Sequence, residues 1–154
     1  MSGFGLTRLQ HLVLWVGDVE RSVRFYCEVV GFEVQRRYPN AAFLKIPGSN
    51  EDHHLGLFEQ TGVRPPDERV ARMYHAAWEV AELTDLSRAR QRLIDARALV
   101  GQSDHGTSLS LYAKDSDGLE FEIFWTVPDG VPAGTRPLDL DGELARRGLP
   151  VRSS

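Results

Sequence analysis

Short apolar runs and one helical stripe alternate in the first 60 residues of the chain. Beginning at His11, the run His-Leu-Val-Leu-Trp-Val predicts a short buried strand. Asp18 then offers a side-chain cap for a helix, and Gly31 is placed to end it. Between them, four apolar residues recur at helical spacing: Val19, Val23, Tyr26 and Val30. Three extended segments follow, over residues 32–37, 41–46 and 53–59.

The same order of elements restarts 64 residues later, at His75. The run His-Ala-Ala-Trp-Glu-Val predicts a strand. Thr84 or Asp85 offers a helix cap, and Gly101 is placed to end that helix. The second helical stripe again has four apolar members: Leu86, Ala89, Leu93 and Ile94. Extended segments follow near residue 99, over 108–114 and over 119–125, with a hairpin turn at 115–118.

This duplication predicts an α+β fold built from paired βαβββ modules. One such module alone would leave an apolar sheet face uncovered, so two are expected to pair. We place module one at about residues 8–60 and module two at about 74–126, with Pro65-Pro66 in the joint between them. Together they are expected to form one domain over residues 1–126, a cup-shaped mixed β-sheet barrel with flanking helices.

Residues 127–154 have the composition of a C-terminal tail. They are rich in Pro and Gly, and one short helix is expected near residues 142–147. A tail of this kind is expected to wrap or dock against the domain and to take no part in catalysis.

Composition narrows the class of protein. The 154 residues, 42% hydrophobic and 26% charged, match an ordinary globular domain, and a net charge of −4 without a basic cluster argues against a nucleic-acid partner. No apolar run is long enough to cross a membrane. Met1 to Leu9 does not look like a signal peptide, and Cys27 has no partner for an internal disulfide. A cytoplasmic location is the expectation.

The paired modules and their two leading histidines give the chain a family resemblance. From Leu9 to about Trp125 it resembles the vicinal oxygen chelate superfamily, which includes glyoxalases, fosfomycin-resistance enzymes and extradiol dioxygenases. In that superfamily the first and last strands of each module supply the ligands of a metal ion. The resemblance therefore implies that His11, His75 and Glu122 bind the metal.

The fourth ligand position of the superfamily lies on the last strand of module one. Subtracting the 64-residue offset from Glu122 gives Phe58, which is apolar. A shift by one residue would reach Glu59, but it would also turn the whole strand over. The expected set is therefore two histidines and one carboxylate with open positions, which suits Fe(II) oxygen chemistry.

A second resemblance is narrower. The stretch from His105 to Glu122 resembles the extradiol ring-cleavage dioxygenase signature, except that Ser116 stands where Pro is usual and Ser103 where Gly is usual. That family's pattern implies that Tyr112 hydrogen-bonds the bound substrate oxygen and that His105 helps to hold the ring. A surface loop for His105 and a surface strand face for Tyr112 are the alternatives.

Residues 53–58, His-His-Leu-Gly-Leu-Phe, resemble the His-His strand of the same dioxygenases. The second histidine of that strand serves in acid–base chemistry, which implies this role for His54. Residues 51–54 would also fit a solvated strand edge.

The resemblance thus implies an Fe(II)-dependent extradiol dioxygenase, with Mn(II) as the alternative metal, acting on a catechol-type diol with O2. Exposed sheet edges favour a homodimer or a higher homo-oligomer. One competing hypothesis is a non-redox enzyme of the same superfamily, a glyoxalase, epimerase or thiol transferase that uses Mn(II), Ni(II) or Zn(II). Another is a metal-free small-molecule binding or resistance protein.

Overall fold

A computed structural model describes residues 5, 7–67 and 71–151 of the chain. The described part leaves out residues 1–4, 6, 68–70 and 152–154. Parts of the N-terminal segment, the linker and the tail that the sequence analysis discussed therefore lie outside it. The chain divides into two compact units, the first unit at residues 1–64 and the second unit at residues 65–154. Each unit contains one strand–helix–three-strand module, so the expected duplication is confirmed.

The first unit contains a four-stranded mixed sheet with one helix against it. Its elements are β1 (Leu12–Val16), α1 (Val19–Arg24), a π-helical segment (Phe25–Val30), β2 (Glu33–Tyr38), β3 (Ala41–Lys45) and β4 (Leu55–Glu59). The strand order is β1-β4-β3-β2, with β1 parallel to β4 and the other neighbours antiparallel. As expected, Asp18 caps α1 by accepting a hydrogen bond from the Arg21 N–H, and Gly31 ends the helical run with a φ of 104°.

The two faces of this sheet differ in burial. Leu44, Leu55 and Leu57 are at most 1% exposed and belong to the core that α1 joins through Val19 and Val23. Burying side chains of this size contributes roughly 1.5 to 3 kcal/mol each. On β1, the alternate residues Val13 and Trp15 remain 53% and 61% exposed.

The second unit contains a five-stranded mixed sheet. Its elements are β5 (Ala76–Glu79), α2 (Leu83–Asp95), β6 (Leu99–Asp104), β7 (Ser108–Lys114), β8 (Glu120–Thr126), β9 (Arg136–Pro137) and α3 (Leu140–Arg146). The order is β5-β8-β7-β6-β9, with β5 parallel to β8. The strands described in the two units form two open sheets and not one closed barrel.

Three local expectations for α2 are wrong. The helix begins at Leu83 and its N-cap is Glu82, so neither Thr84 nor Asp85 caps it. Ile94 is 48% exposed and does not belong to the buried stripe. The helix ends at Asp95 because Arg97 adopts the left-handed conformation, with a φ of 56°, that glycine usually supplies; Gly101 lies within β6 instead.

The described part of the tail packs against the rest of the second unit. Residues Arg136 and Pro137 pair with β6, and the short helix α3 buries Leu140 and Leu144 almost completely. The Arg147 guanidinium stacks over the Trp125 ring at 5.0 Å. Among the described residues, no helix has the length and apolar character needed to cross a bilayer.

Candidate active site

His75 and Glu122 come together in the second unit because of the β5–β8 register. Ala77 pairs with Glu122 in this parallel ladder, and His75 lies two positions before Ala77, immediately before β5. Side chains two residues apart on a strand share one face. The Nε2 atom of His75 consequently lies 3.1 Å from Oε2 of Glu122, and its Nδ1 atom lies 3.9 Å from Oε1 of Glu120.

This pair fits the donor set of a divalent metal. Two ligand atoms bound about 2.1 Å from one ion at a right angle are separated by about 3.0 Å, close to the observed 3.1 Å between His75 and Glu122. Both side chains are largely buried, with 24% and 13% exposure. The Nδ1 atom of His75 is buried and has no hydrogen-bond partner among the described residues, since 3.9 Å to Glu120 is too long for one. The imidazole and carboxylate thus suit Fe(II), Mn(II) or Zn(II).

Tyr112 joins the same face from the adjacent strand. It pairs with Glu122 across the β7–β8 ladder, and its ring centre lies 5.7 Å from that of His75. Burial raises the pKa of the Tyr112 phenol, and the negative charge of Glu122 raises it further. The phenol therefore remains a neutral hydrogen-bonding group near neutral pH.

His105 contacts this cluster through Tyr112. The Nε2 atom of His105 lies 2.9 Å from the Tyr112 hydroxyl, a normal hydrogen-bond distance. The sequence-predicted residues His75, His105, Tyr112 and Glu122 are therefore brought together within the second unit.

The C-terminal tail holds the loop that carries His105, which the sequence did not indicate. The Ala133 N–H donates to the carbonyl oxygen of His105, and the Thr135 hydroxyl lies 3.4 Å from its Nδ1. One residue before His105, Asp104 forms a 2.8 Å ion pair with Arg136 of β9. The tail is thus a structural part of this site.

His11 lies just before β1 in the first unit. Its Nδ1 lies 3.3 Å from the amide oxygen of Gln10, whose own amide donates to Glu51. Because an amide oxygen can only accept, the ring hydrogen is assigned to Nδ1, which leaves a lone pair on Nε2 for a metal. Among the described residues, no three His, Cys, Asp or Glu side chains form a group arranged to hold a metal ion, and His11 stays a predicted ligand.

The two adjacent histidines of the first unit have different surroundings. His54 turns its ring into the β3–β4 connection, where its two nitrogens meet the Ile46 N–H and the Ser49 hydroxyl. The ring of His53 lies 4.6 Å from the ring of His11. The acid–base role of His54 stays a prediction.

The strand register identifies a different equivalent of Glu122 in the first unit. Ala77, two residues after His75, pairs with Glu122; Val13, two residues after His11, pairs with Gly56. Phe58, which the 64-residue offset selected, pairs two positions further along. The register therefore places Gly56, which has no side chain, at the position equivalent to Glu122.

Glu59 has a structural role instead. Its Oε2 accepts a 3.0 Å hydrogen bond from the Val19 N–H at the first turn of α1. This contact satisfies a backbone donor that the helix itself leaves free.

Two named relatives match about three quarters of this chain. The chain is 32% identical to a catechol-2,3-dioxygenase of Bacillus subtilis (strain 168) over 120 residues, which is 77% of this chain but only 41% of the dioxygenase. It is 30% identical to glutathione transferase FosA of Serratia marcescens over 118 residues, 77% of this chain and 80% of that protein. The chain therefore spans less than half of the dioxygenase's length.

A solved structure and a family profile complete the assignment. A glyoxylase/bleomycin resistance protein/dioxygenase domain from Frankia sp. EAN1pec shares the fold, with a TM-score of 0.67 at 24% identity over 80% of this chain and 100% of that one. The profile described as Glyoxalase/Bleomycin resistance protein/Dioxygenase superfamily matches residues 8–123. The resemblance seen in the paired modules is confirmed, and the chain belongs to the glyoxalase/bleomycin resistance protein/dioxygenase superfamily.

Proposed function

We propose that this protein is an Fe(II)-dependent extradiol dioxygenase that opens the ring of a catechol-type diol with O2. In the overall reaction a ring carbon–carbon bond beside the two hydroxyls breaks and both atoms of O2 enter the product. No external reductant is required.

His11, His75 and Glu122 are the proposed ligands, and Mn(II) is the alternative metal. A divalent ion held by two imidazoles and one carboxylate supplies Lewis acidity toward the diol hydroxyls and, for Fe(II), redox chemistry toward O2. Gly56 supports an incomplete protein ligand set, because the position equivalent to Glu122 offers no carboxylate.

Tyr112 and His105 are proposed to bind and orient the diol. The Tyr112 hydroxyl donates a hydrogen bond to a substrate oxygen. His105 stays in contact with that hydroxyl and fixes its direction. His54 is the acid–base residue implied by the resemblance, and its ring would have to leave the Ile46 N–H and the Ser49 hydroxyl to reach a substrate.

The observation that carries the proposal is the Tyr112–His105 hydrogen bond beside the His75–Glu122 pair. A glyoxalase, epimerase or thiol-transferase reaction would use the metal ligands but would give no role to the Tyr112 phenol or the His105 imidazole. The similarity to glutathione transferase FosA keeps that class of activity as the alternative. A metal-free binding protein would leave the His75–Glu122 pair without a function.

We further propose that the protein acts on small molecules as a homodimer or higher homo-oligomer. In the first unit, β1 and β2 are edge strands, and β1 carries the exposed Val13 and Trp15. Unpaired strand edges with apolar side chains favour association.

The test is anaerobic reconstitution with Fe(II), followed by O2 and a panel of catechols, with formation of the yellow ring-opened product as the readout. We expect product to form only when iron is present and to be lost in the His75→Ala variant. Bound divalent metal without product from any catechol would move the assignment to non-redox chemistry. Absence of metal binding under all conditions would favour the binding protein.

A further inference from the structure

We propose that His53, and not His54, is the histidine of the first unit that contacts the bound diol beside His11, accepting a hydrogen bond at Nε2 from a diol hydroxyl. The inference rests on the proposed function for the kind of ligand, and it changes which of the two adjacent imidazoles does this work.

Both ring nitrogens of His54 already have partners. The Ile46 N–H lies 3.2 Å from Nδ1, and a backbone N–H can only donate, so Nδ1 of His54 must be the acceptor. In the neutral ring the hydrogen then lies on Nε2, which is 3.3 Å from the Ser49 hydroxyl. The His54 N–H also donates to the Leu44 carbonyl at 2.8 Å. His54 therefore closes the turn between β3 and β4.

His53 has the opposite arrangement, with one nitrogen anchored and one unused. Its Nδ1 lies 2.7 Å from Oδ2 of Asp52, and a carboxylate can only accept, so Nδ1 carries the hydrogen. The same oxygen accepts a 2.5 Å hydrogen bond from Arg36. The hydrogen bond from His53 and, to a smaller extent, that from Arg36 hold the pKa of Asp52 below its usual value, so this carboxylate stays charged. Among the described residues, Nε2 of His53 has no hydrogen-bond partner.

Aromatic contacts fix the plane of the His53 ring. It stacks at a tilt against His11, with centroids 4.6 Å apart, and meets the edge of the Phe43 ring at 4.9 Å. The Arg36 guanidinium lies over Phe43 at 5.5 Å, so the group that anchors Asp52 also packs on the ring that supports His53. The side chain of His53 is only 16% exposed.

The free nitrogen suits a diol. With its hydrogen on Nδ1, the neutral ring offers a lone pair at Nε2, which complements the hydroxyl donor of a catechol. Because Asp52 and Phe43 hold the ring before a ligand arrives, little rotational freedom is lost when the hydrogen bond forms. If His53 served only to form an ion pair with Asp52 at the surface, its ring would not need to stack against His11, the proposed metal ligand.

The experiment compares matched variants of the two histidines. Each metal-loaded protein is titrated anaerobically with 4-nitrocatechol, a coloured diol, and its metal content and melting temperature are measured. The variants are His53→Gln and His54→Gln; His53→Phe is added because it keeps the ring contacts while removing both nitrogens.

We expect both His53 variants to bind 4-nitrocatechol at least about tenfold more weakly with unchanged metal content, the loss of about one hydrogen bond. The His54→Gln variant should melt at a lower temperature, because its ring closes the β3–β4 turn, and it should bind the probe more tightly than either His53 variant. Weaker binding by His54→Gln equal to that of the His53 variants would overturn the inference. Loss of metal from the His53 variants, or no binding of the probe by the parent, would overturn it as well.

This test separates the inference from the proposed function. A parent protein that binds 4-nitrocatechol in a His53-dependent manner but opens no catechol ring would refute the dioxygenase and keep His53 as a diol contact. Ring opening that persists at the parental rate in both His53 variants would keep the dioxygenase and refute His53.

Discussion

The Nε2 atom of His75 lies 3.1 Å from Oε2 of Glu122, whereas Glu120, two residues earlier on β8, approaches the other ring nitrogen only to 3.9 Å. The two carboxylates share a strand, a face and a neighbouring imidazole. They differ in which nitrogen they approach and how closely. That difference assigns the proposed ligand role to Glu122 and makes Glu120 its natural control.

The Glu122→Gln variant is expected to lose metal. A neutral amide is a poor ligand for a divalent ion, so affinity should fall by more than about 100-fold, beyond the range of about 10- to 100-fold typical of groups that only orient ligands. Glu120→Gln removes the same charge from the same face and should cost less than about tenfold. Metal titration by calorimetry measures both values. Equal losses in the two variants would show that negative charge alone, and not ligation by Glu122, holds the metal.

Gly56 is the place to restore a fourth ligand. The Gly56→Glu variant is expected to bind Zn(II) or Ni(II) more tightly than the parent and to lose ring-opening activity with Fe(II), because a carboxylate would occupy a position that substrate needs. A Cβ at this residue would meet the Val13 side chain at 3.3 Å, a contact that requires a small adjustment.

Gly56→Ala is the control for that adjustment, since it adds the Cβ without the carboxylate. Metal affinity by competition with a chelating dye and activity on catechol distinguish the two variants. A Gly56→Glu protein with the metal affinity and activity of Gly56→Ala would refute the equivalence of Gly56 and Glu122.

Gly56 also shows which part of the site could not be predicted from the sequence. Repeat spacing located both first strands, because these depend on local patterns, whereas Glu122 came from the family resemblance and stays a proposed ligand. It selected Phe58 instead of Gly56, because equivalence across the repeat depends on loop length. Ala76 pairs with Phe121, 45 residues later, whereas Leu12 pairs with Leu55, 43 residues later. Only the strand register reveals this difference.

The ring orientations of His53 and His54 and the contact of the tail with His105 could not be predicted from the sequence, for a different reason. Strand alternation treats His53 and His54 as opposite faces of one strand, yet β4 begins only at Leu55, so the orientation of both rings is set by the preceding turn. The contact of Thr135 with His105 joins residues 30 positions apart, and no periodicity predicts it. By contrast, the alternation of Ser108 to Lys114 predicted β7 with the bounds that the structure has.

The docking of the tail on the His105 loop can be tested at Gly106. This residue has a φ of +80°, and a Cβ on it would lie 2.1 Å from the Val131 carbonyl oxygen. Gly106→Ala must therefore push the tail away from the loop. Gly134→Ala is the matched control, because its φ is +69° and nothing lies within 4 Å of its Cβ position.

Both variants should lose about 1 to 2 kcal/mol of unfolding free energy from the left-handed backbone conformation. Gly106→Ala should lose at least about 1 kcal/mol more, and its kcat/KM for catechol should fall because His105 no longer holds Tyr112. Urea unfolding and steady-state kinetics measure the two effects. Equal stability and activity of the two variants would show that the tail does not support the loop.

Acid stability should depend on Glu143 in α3. Its carboxylate accepts 2.6 Å hydrogen bonds from Arg146 and Arg147. These bonds lower the pKa of Glu143 below its usual 4.5, and the bond from Arg146 has the larger effect. A carboxyl whose pKa is lower in the folded state stabilises the protein above its unfolded pKa, and this contribution disappears as the pH falls through the folded pKa.

The Glu143→Gln variant should therefore be less stable than the parent at pH 7 by up to about 1 kcal/mol, the range for ion pairs in contact with solvent. The difference should shrink as the pH falls below about 4.5. Urea unfolding at a series of pH values measures it, with Glu33→Gln on the exposed strand β2 as the control for removing one negative charge. A difference that stays constant across the acid range would mean that Glu143 stabilises α3 through packing and not through its charge.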